Sequence, residues 1–153
     1  MLRYEVGDIV RGNYPVFCHQ VNCKGKMGAG LAKQIRDKYP FVYSDYKELC
    51  QKGEPLLGHI LISHEPGVNG RMCVSMFAQD GYGRDKRYTD YAAFKQCLHT
   101  LKEVVNGYSS EYTIAFPYGI GCGLAGGDWH IILGMLTGFS ELVKQDVVIV
   151  SLK

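Results

Sequence analysis

The sequence predicts a layered α/β domain built on a mixed sheet, and three features carry that prediction. Short apolar runs rich in β-branched and aromatic residues alternate with longer stretches whose apolar residues recur at helical spacing. Two of the strand-like runs follow one another in mid-chain with only a turn between them, and another opens the chain, which points to a mixed sheet. Two glycine-dense loops each follow a strand and open a helix.

The elements follow in order. Leu2 to Val6 reads as a first strand, and Pro15 to Val21 as a second that runs straight into the loop Asn22-Cys23-Lys24-Gly25-Lys26-Met27-Gly28-Ala29-Gly30. Leu31 to Tyr39 has helical spacing in Leu31, Ile35 and Tyr39, and Pro40 stops it; Phe41 to Cys50 is a second helix ended by Gly53. Leu57 to Ser63 and Arg71 to Ala78 are strands joined through a turn region at Pro66-Gly67 and Asn69-Gly70. Thr89 to Val105 is the longest helix, with Tyr91, Phe94, Leu98, Leu101 and Val105 on one stripe. Tyr112 to Phe116 is a strand, Pro117 to Gly127 the second glycine loop, and Asp128 an N-cap for a helix over Trp129 to Val143. Val147 to Leu152 closes the sheet. No internal repeat or linker interrupts the series, so a single domain is expected over residues 1–153.

Composition narrows the function. Lys+Arg number 17 against 15 Asp+Glu, a formal net charge of +2, which lacks the basic excess that general nucleic-acid binding draws on. No stretch approaches the ~20 apolar residues of a membrane span, and the amino-terminal residues lack a signal-peptide run. Six cysteines without a C-x-x-C pair read as reduced thiols, with no zinc site or redox pair. A cytoplasmic protein without membrane contact, metal or cofactor is expected. The outlier is glycine, 19 of 153 residues against an average usage of about 7%.

Those glycines crowd into the two strand-to-helix loops. Backbone N–H groups at a helix N-terminus are unpaired and carry the positive end of the dipole, so two such loops can hold the two halves of a pyrophosphate without a basic surface. Known phosphate motifs are absent or misplaced. There is no G-x-x-x-x-G-K-[ST], and no cysteine begins a C-x-x-x-x-x-R loop. Gly121, Gly123 and Gly126 fit G-x-G-x-x-G, but only one strand follows, and Asp146 precedes that strand instead of ending it, so a Rossmann fold is rejected.

Four motifs in order and spacing, Gly7-Asp8-Ile9, His19-Gln20-Val21-Asn22-Cys23, Met27-Gly28-Ala29-Gly30-Leu31-Ala32 and Gly119-Ile120-Gly121-Cys122-Gly123-Leu124, resemble the ADP-ribose-binding macro domains. The likeness spans nearly the whole chain. It is nearest to the branch with terminal ADP-ribose protein glycohydrolases and ADP-ribose 1''-phosphate phosphatases. The resemblance implies a three-layer α/β/α sandwich around a mixed, mostly parallel sheet. It further implies that Asp8 accepts from the adenine amino group, that the Ile9 N–H meets a ring nitrogen, and that Asn22 lies against the distal ribose. Met27, Gly28, Ala29, Gly30 and Leu31, with Gly119, Ile120, Gly121, Cys122, Gly123 and Leu124, would cradle the diphosphate.

For catalysis the sequence departs from that pattern. De-ADP-ribosylating relatives carry a lysine at the end of the fourth strand and an aspartate after the Gly-Cys-Gly-Leu run, where this chain has Gln79 and Ala125. Lys86 could substitute only if the loop Asp80 to Arg87 folds back over the site. His19 is the acid/base candidate, at the position of a histidine implicated in the phosphatase members; Asp128 is a second, competing with its capping role. Relatives also often stack an aromatic residue of the final strand on adenine, whereas this chain ends Ile149-Val150-Ser151-Leu152. The resemblance thus implies an ADP-ribose site that hydrolyses a distal-ribose derivative, the 1''-phosphate or an ester-linked adduct. A non-catalytic reader of free or macromolecule-linked ADP-ribose competes with it. A site for another nucleotide diphosphate or a nucleic-acid end is the weakest of the three.

Overall fold

The computed structural model describes residues 1–67 and 70–153. Six strands, β1 (Leu2–Val6), β2 (Val16–Asn22), β3 (Ile60–His64), β4 (Met72–Gln79), β5 (Ile114–Pro117) and β6 (Val147–Ser151), form one sheet in the order β1-β6-β5-β2-β4-β3. All pairings are parallel except β3 with β4. Four helices, α1 (Gly30–Lys38), α2 (Pro40–Gln51), α3 (Tyr91–Val105) and α4 (Trp129–Leu142), cover its faces. The architecture is a three-layer α/β/α sandwich with a mixed, mostly parallel sheet.

Side-chain alternation explains the layers. In β6, Val147 and Ile149 face α3 and α4 in a core with Phe94, Leu101, Phe116 and Leu136, while Val148 and Val150 face α1 and α2 with Phe17, Ile35, Val42 and Phe77. A strand buried on both faces is apolar at nearly every position, which is why β6 reads as a continuous run and β4 as one broken only by Ser75, whose hydroxyl is paired with His19, before its end at Gln79. Fully burying one such side chain is worth about 1.5–3 kcal/mol. No helix among the described residues is long and apolar enough to cross a membrane.

The boundaries differ from expectation where turns intervene. β3 begins at Ile60, not Leu57, because Gly58 at φ +91° sits in a turn that His59 N–H closes on Leu56 O at 2.8 Å, while the Gly58 N–H ties that turn to Phe77 O of β4. β5 begins at Ile114, not Tyr112, because Tyr112 and Thr113 are tied back to Ser109 and Glu111. Pro40 ends one helix by starting the next, at N1 of α2. Asp90 caps α3 by accepting from Ala93 N–H, so that helix starts at Tyr91 and not Thr89. In the turn region between β3 and β4, Asn69 lies outside the described residues, while Glu65 N–H closes onto Arg71 O at 2.8 Å.

Candidate functional site

The β2–β5 ladder is registered over two pairs, Val16 with Ile114 and Phe17 with Ala115, and both strands run on beyond it. On one side of this junction the chain moves from β2 to β4, on the other from β5 to β6, so it is a topological switch point, where open parallel sheets bind ligands at the carboxyl ends of strands. A cavity of about 790 Å³ opens there. Its walls are His19 to Asn22 with Gly28 to Ala32 on one side, and Pro117 to Gly121 with Gly123 to Ala125 on the other. A smaller cavity of about 240 Å³ adjoins it, lined by Asp8 and Ile9 and by Val150 to Leu152; Leu31, Pro117 and Tyr118 line both.

The two loops expose unpaired amides. The N–H groups of Gly28, Ala29, Gly30 and Leu31 have no acceptor within the protein among the described residues, and α1 has neither a side-chain cap nor an acid in its first turn. The N–H groups of Gly119, Gly121, Gly123 and Leu124 are likewise unpaired. All eight residues line the large cavity. Added Cβ atoms on Gly28, Gly30, Gly119 or Gly123 would meet nothing within 4 Å. On the second side the expected N-cap is present: Asp128 accepts from His130 N–H and closes the N-terminus of α4, leaving the unpaired amides of that side on the loop itself.

The sequence-predicted residues sort by position. Asp8 and Ile9 line the small cavity. Burial acts to raise the Asp8 pKa, but the N–H groups of Arg11 and Val10 and the Arg11 guanidinium outweigh it and hold the carboxyl below its usual range. Asn22 lines the large cavity and also fastens its own loop: its Oδ1 accepts from the N–H groups of Lys24 and Lys26 and from the Tyr46 hydroxyl, and its Nδ2 donates to Lys26 O. Met27 is buried in the α1/α2 core, and neither it nor Cys122 is among the lining residues. Asp128 is exposed at the α4 cap and does not line the cavity.

His19 lies in the cavity wall but is 1% exposed. Its Nε2 is 2.9 Å from Ser75 Oγ, its Nδ1 is buried without a partner, and burial pushes its pKa down to about 4, so the ring is neutral at pH 7. Gln79 and Ala125 do line the cavity. Gln79 Oε1 accepts from Gln20 Nε2 at 2.9 Å; the same Nε2 donates to Thr89 Oγ1 at 2.8 Å, and that hydroxyl donates to Gly121 O. Gln20 and Gln79 of this network line the large cavity and not the small one, and Gln20 Oε1 is buried without a partner.

The loop after β4 reaches the cavity through Tyr82, Gly83 and Arg84, whereas Lys86 lies 5.2 Å from the Tyr88 ring centroid and is not among the lining residues. The charged lining groups are Lys26 and Arg84, and no Asp or Glu lines the large cavity. The nearby thiols do not supply a thiolate, since burial pushes Cys23 and Cys122 up to about 11. Among the described residues no group of three or more His, Cys, Asp or Glu side chains is placed to hold a metal ion.

The macro domain family model matches residues 18–135. The chain belongs to the macro domain family. This macro domain is 27% identical over 150 residues to the DNA ADP-ribosyl glycohydrolase of Mycobacterium tuberculosis, an overlap of 97% of this chain and 42% of that protein. It is 28% identical to the ADP-ribose 1''-phosphate phosphatase of Debaryomyces hansenii, over 93% of this chain and 96% of that one. Its fold matches Thermosipho africanus DarTG, solved in complex with ADP-ribose, with a TM-score of 0.82 at 19% identity, covering 97% of this chain and 41% of the other. The macro domain thus spans less than half the length of the mycobacterial relative and of the DarTG chain.

Some partnerships around the site carry no signal in the sequence. Gln20, Thr89 and Gln79 meet only through the fold, as does the strut formed by Arg71, whose guanidinium lies 4.0 Å from the Phe17 ring centroid and donates to the carbonyls of Ile9, Val10 and Tyr14. Arg71 thereby fixes the segment that presents Asp8 and Ile9. An arginine before a strand offers no hint of such a task.

Proposed function

We propose that this macro domain binds ADP-ribose across the two cavities and hydrolyses a derivative at the distal ribose, ADP-ribose 1''-phosphate or an ester-linked ADP-ribosyl adduct, through an activated water. One observation carries the binding: eight unpaired amides on two facing loops surround a space that no side chain fills. A diphosphate satisfies those donors, with Ile120 completing the second wall. Asp8, held ionised, accepts from the exocyclic amine of adenine, and the Ile9 N–H meets the ring. Asn22 stands on the distal side. The relatives named for DNA ADP-ribosyl glycohydrolysis and for ADP-ribose 1''-phosphate support the same ligand.

His19 is the acid/base group of this reading: it lies in the cavity wall with its Nε2 on Ser75, and burial that holds its pKa at about 4 keeps the ring neutral but makes it a weak base. Asp128 can act only if its cap opens. Binding energy from the adenosine end would position the reacting end. The reader alternative draws on two observations, that among the described residues no carboxylate lines the large cavity and that His19 Nδ1 is closed to solvent, and on the resemblance, which assigns Gln79 and Ala125 to the places of the lysine and aspartate of de-ADP-ribosylating relatives. The substrate carrier, including an ADP-ribosylated macromolecule, belongs to the same proposal.

Calorimetry with ADP-ribose tests the binding. The expected result is saturable heat, weakened about tenfold or more in Asp8→Ala; no heat at millimolar ligand overturns it. Phosphate release from ADP-ribose 1''-phosphate then separates enzyme from reader. Release by the parent that is lost in His19→Ala supports the hydrolase; release unchanged in His19→Ala removes that residue's role. No turnover of either the phosphate or an ester adduct leaves the reader.

A further inference from the structure

Tyr118 stands between the two cavities and lines both. It follows Pro117 at the end of β5, and its N–H donates to Val150 O at 2.8 Å, which fixes the backbone from which the ring projects. The residue is 58% exposed, yet the ring is not free. Its centroid lies 4.9 Å from that of Trp129, the first residue of α4, at an interplanar angle of 49°. Trp129 in turn packs against the α3/α4 core. Tyr118 thus offers an exposed aromatic face whose orientation a second ring braces.

The small cavity shows what the ring can serve. Asp8 there addresses the edge of a base, but a base also needs a flat apolar partner for its face. Val150, Ser151 and Leu152 supply no ring, and Tyr118 is the one aromatic among that cavity's lining residues. We infer that Tyr118, braced by Trp129, is the stacking platform for the purine of a bound adenine nucleotide. The brace matters because a ring already held in place loses little freedom when the ligand arrives. This inference rests on the ADP-ribose reading above and adds a specificity-determining residue to it.

The test compares ADP-ribose affinity, by calorimetry, in the parent, Tyr118→Leu, Tyr118→Phe and Tyr118→Trp, with urea unfolding of each variant to show that the fold is kept. Stacking predicts a loss of about tenfold in Tyr118→Leu and values within about twofold of the parent in the two aromatic variants. Unchanged affinity in Tyr118→Leu overturns the platform. So does an equal loss in Tyr118→Phe, which would assign the contact to the hydroxyl. Trp129 is the sole tryptophan of the chain, so its emission is an independent readout. Saturating ADP-ribose should change it in the parent and in Tyr118→Phe, and binding without any change in emission counts against the platform. If the parent binds no ADP-ribose at all, the ligand reading itself fails, and AMP and ADP in the same titration show whether another purine nucleotide takes the place.

Discussion

The two glycine loops face each other across one cavity, yet they are held by different means. The first is fastened by side chains: Asn22 and the Tyr46 hydroxyl bind its backbone at Lys24, Gly25 and Lys26, and an added Cβ on Gly28 or Gly30 meets nothing. The second is fastened largely by its own backbone, with the Thr89 hydroxyl on Gly121 O and the N–H groups of Tyr88 and Thr89 on Ala125 O joining it from outside. Gly127 N–H donates to Gly121 O, Cys122 N–H to Gly119 O and Gly126 N–H to Gly123 O, and several of its glycines are consumed by packing. A Cβ on Gly121, already at φ +75°, would sit 2.7 Å from Gln20 Oε1. Glycine therefore does two jobs here, closing the chain on itself and leaving room for something else, and sequence composition adds the two together.

The sharpest break in this contrast is Gly127→Ala. Its Cβ would lie 2.5 Å from Gly121 O and 3.3 Å from Thr89 Cγ2, so backbone must move. A loss of about 3 to 4 kcal/mol in urea unfolding is expected; stability within about 1 kcal/mol of the parent would show that the second loop is not closed by its own backbone.

Acid should act next most strongly, through β2, which leads into the first loop. His19 has a folded pKa of about 4 against an ordinary value of 6.5. A histidine whose folded pKa is lowered is more protonated when unfolded. Its contribution is thus fully present above pH 6.5 and is lost as pH falls toward 4, by up to about 3 kcal/mol. Urea unfolding between pH 7 and pH 4 reads this slope, which His19→Gln should flatten. A variant that keeps the parent's slope would place the titrating group elsewhere.

Asn22→Ala comes third, at about 2 kcal/mol. It strands two loop N–H groups and the Lys26 carbonyl, although water can reach part of the loop. ADP-ribose affinity should fall with it, since the amides of Gly28 to Leu31 would lose their anchor. An unaltered unfolding midpoint would mean that α1 and the sheet position the loop without Asn22.

Much of this was legible in the sequence, for reasons visible in particular residues. β4 and β6 stood out because burial on both faces leaves few polar positions, and α3 because Phe94, Leu98, Leu101 and Val105 fall on one stripe. The loops stood out by glycine density. What stayed hidden depends on neighbours distant in the chain. Gly58 breaks the run before β3 through a bond to Phe77. Gly121 must be glycine because Gln20 and Thr89 crowd it, and Tyr118 becomes a wall of both cavities only once α4 brings Trp129 behind it. Periodicity reports the face an element buries; it does not report which loop a side chain meets across the sheet.

The smallest effect on stability should accompany one of the clearest effects on binding. Gly28 and Gly123 have no positive φ, and a Cβ on either meets nothing within 4 Å. Nothing in the fold requires glycine at these two positions, one on each loop. Alanine there restricts the unfolded chain and should leave stability equal or raise it by about 0.4–1 kcal/mol. Both positions line the cavity that the diphosphate is proposed to fill, so the added methyl takes ligand space. Gly28→Ala and Gly123→Ala should therefore unfold at the parent's urea concentration or above it while binding ADP-ribose about tenfold more weakly. Stability and affinity moving in opposite directions is the mark of a glycine kept for a ligand. If either variant binds as the parent does, the ligand does not lie over that loop, and comparing the two shows which loop carries the phosphates.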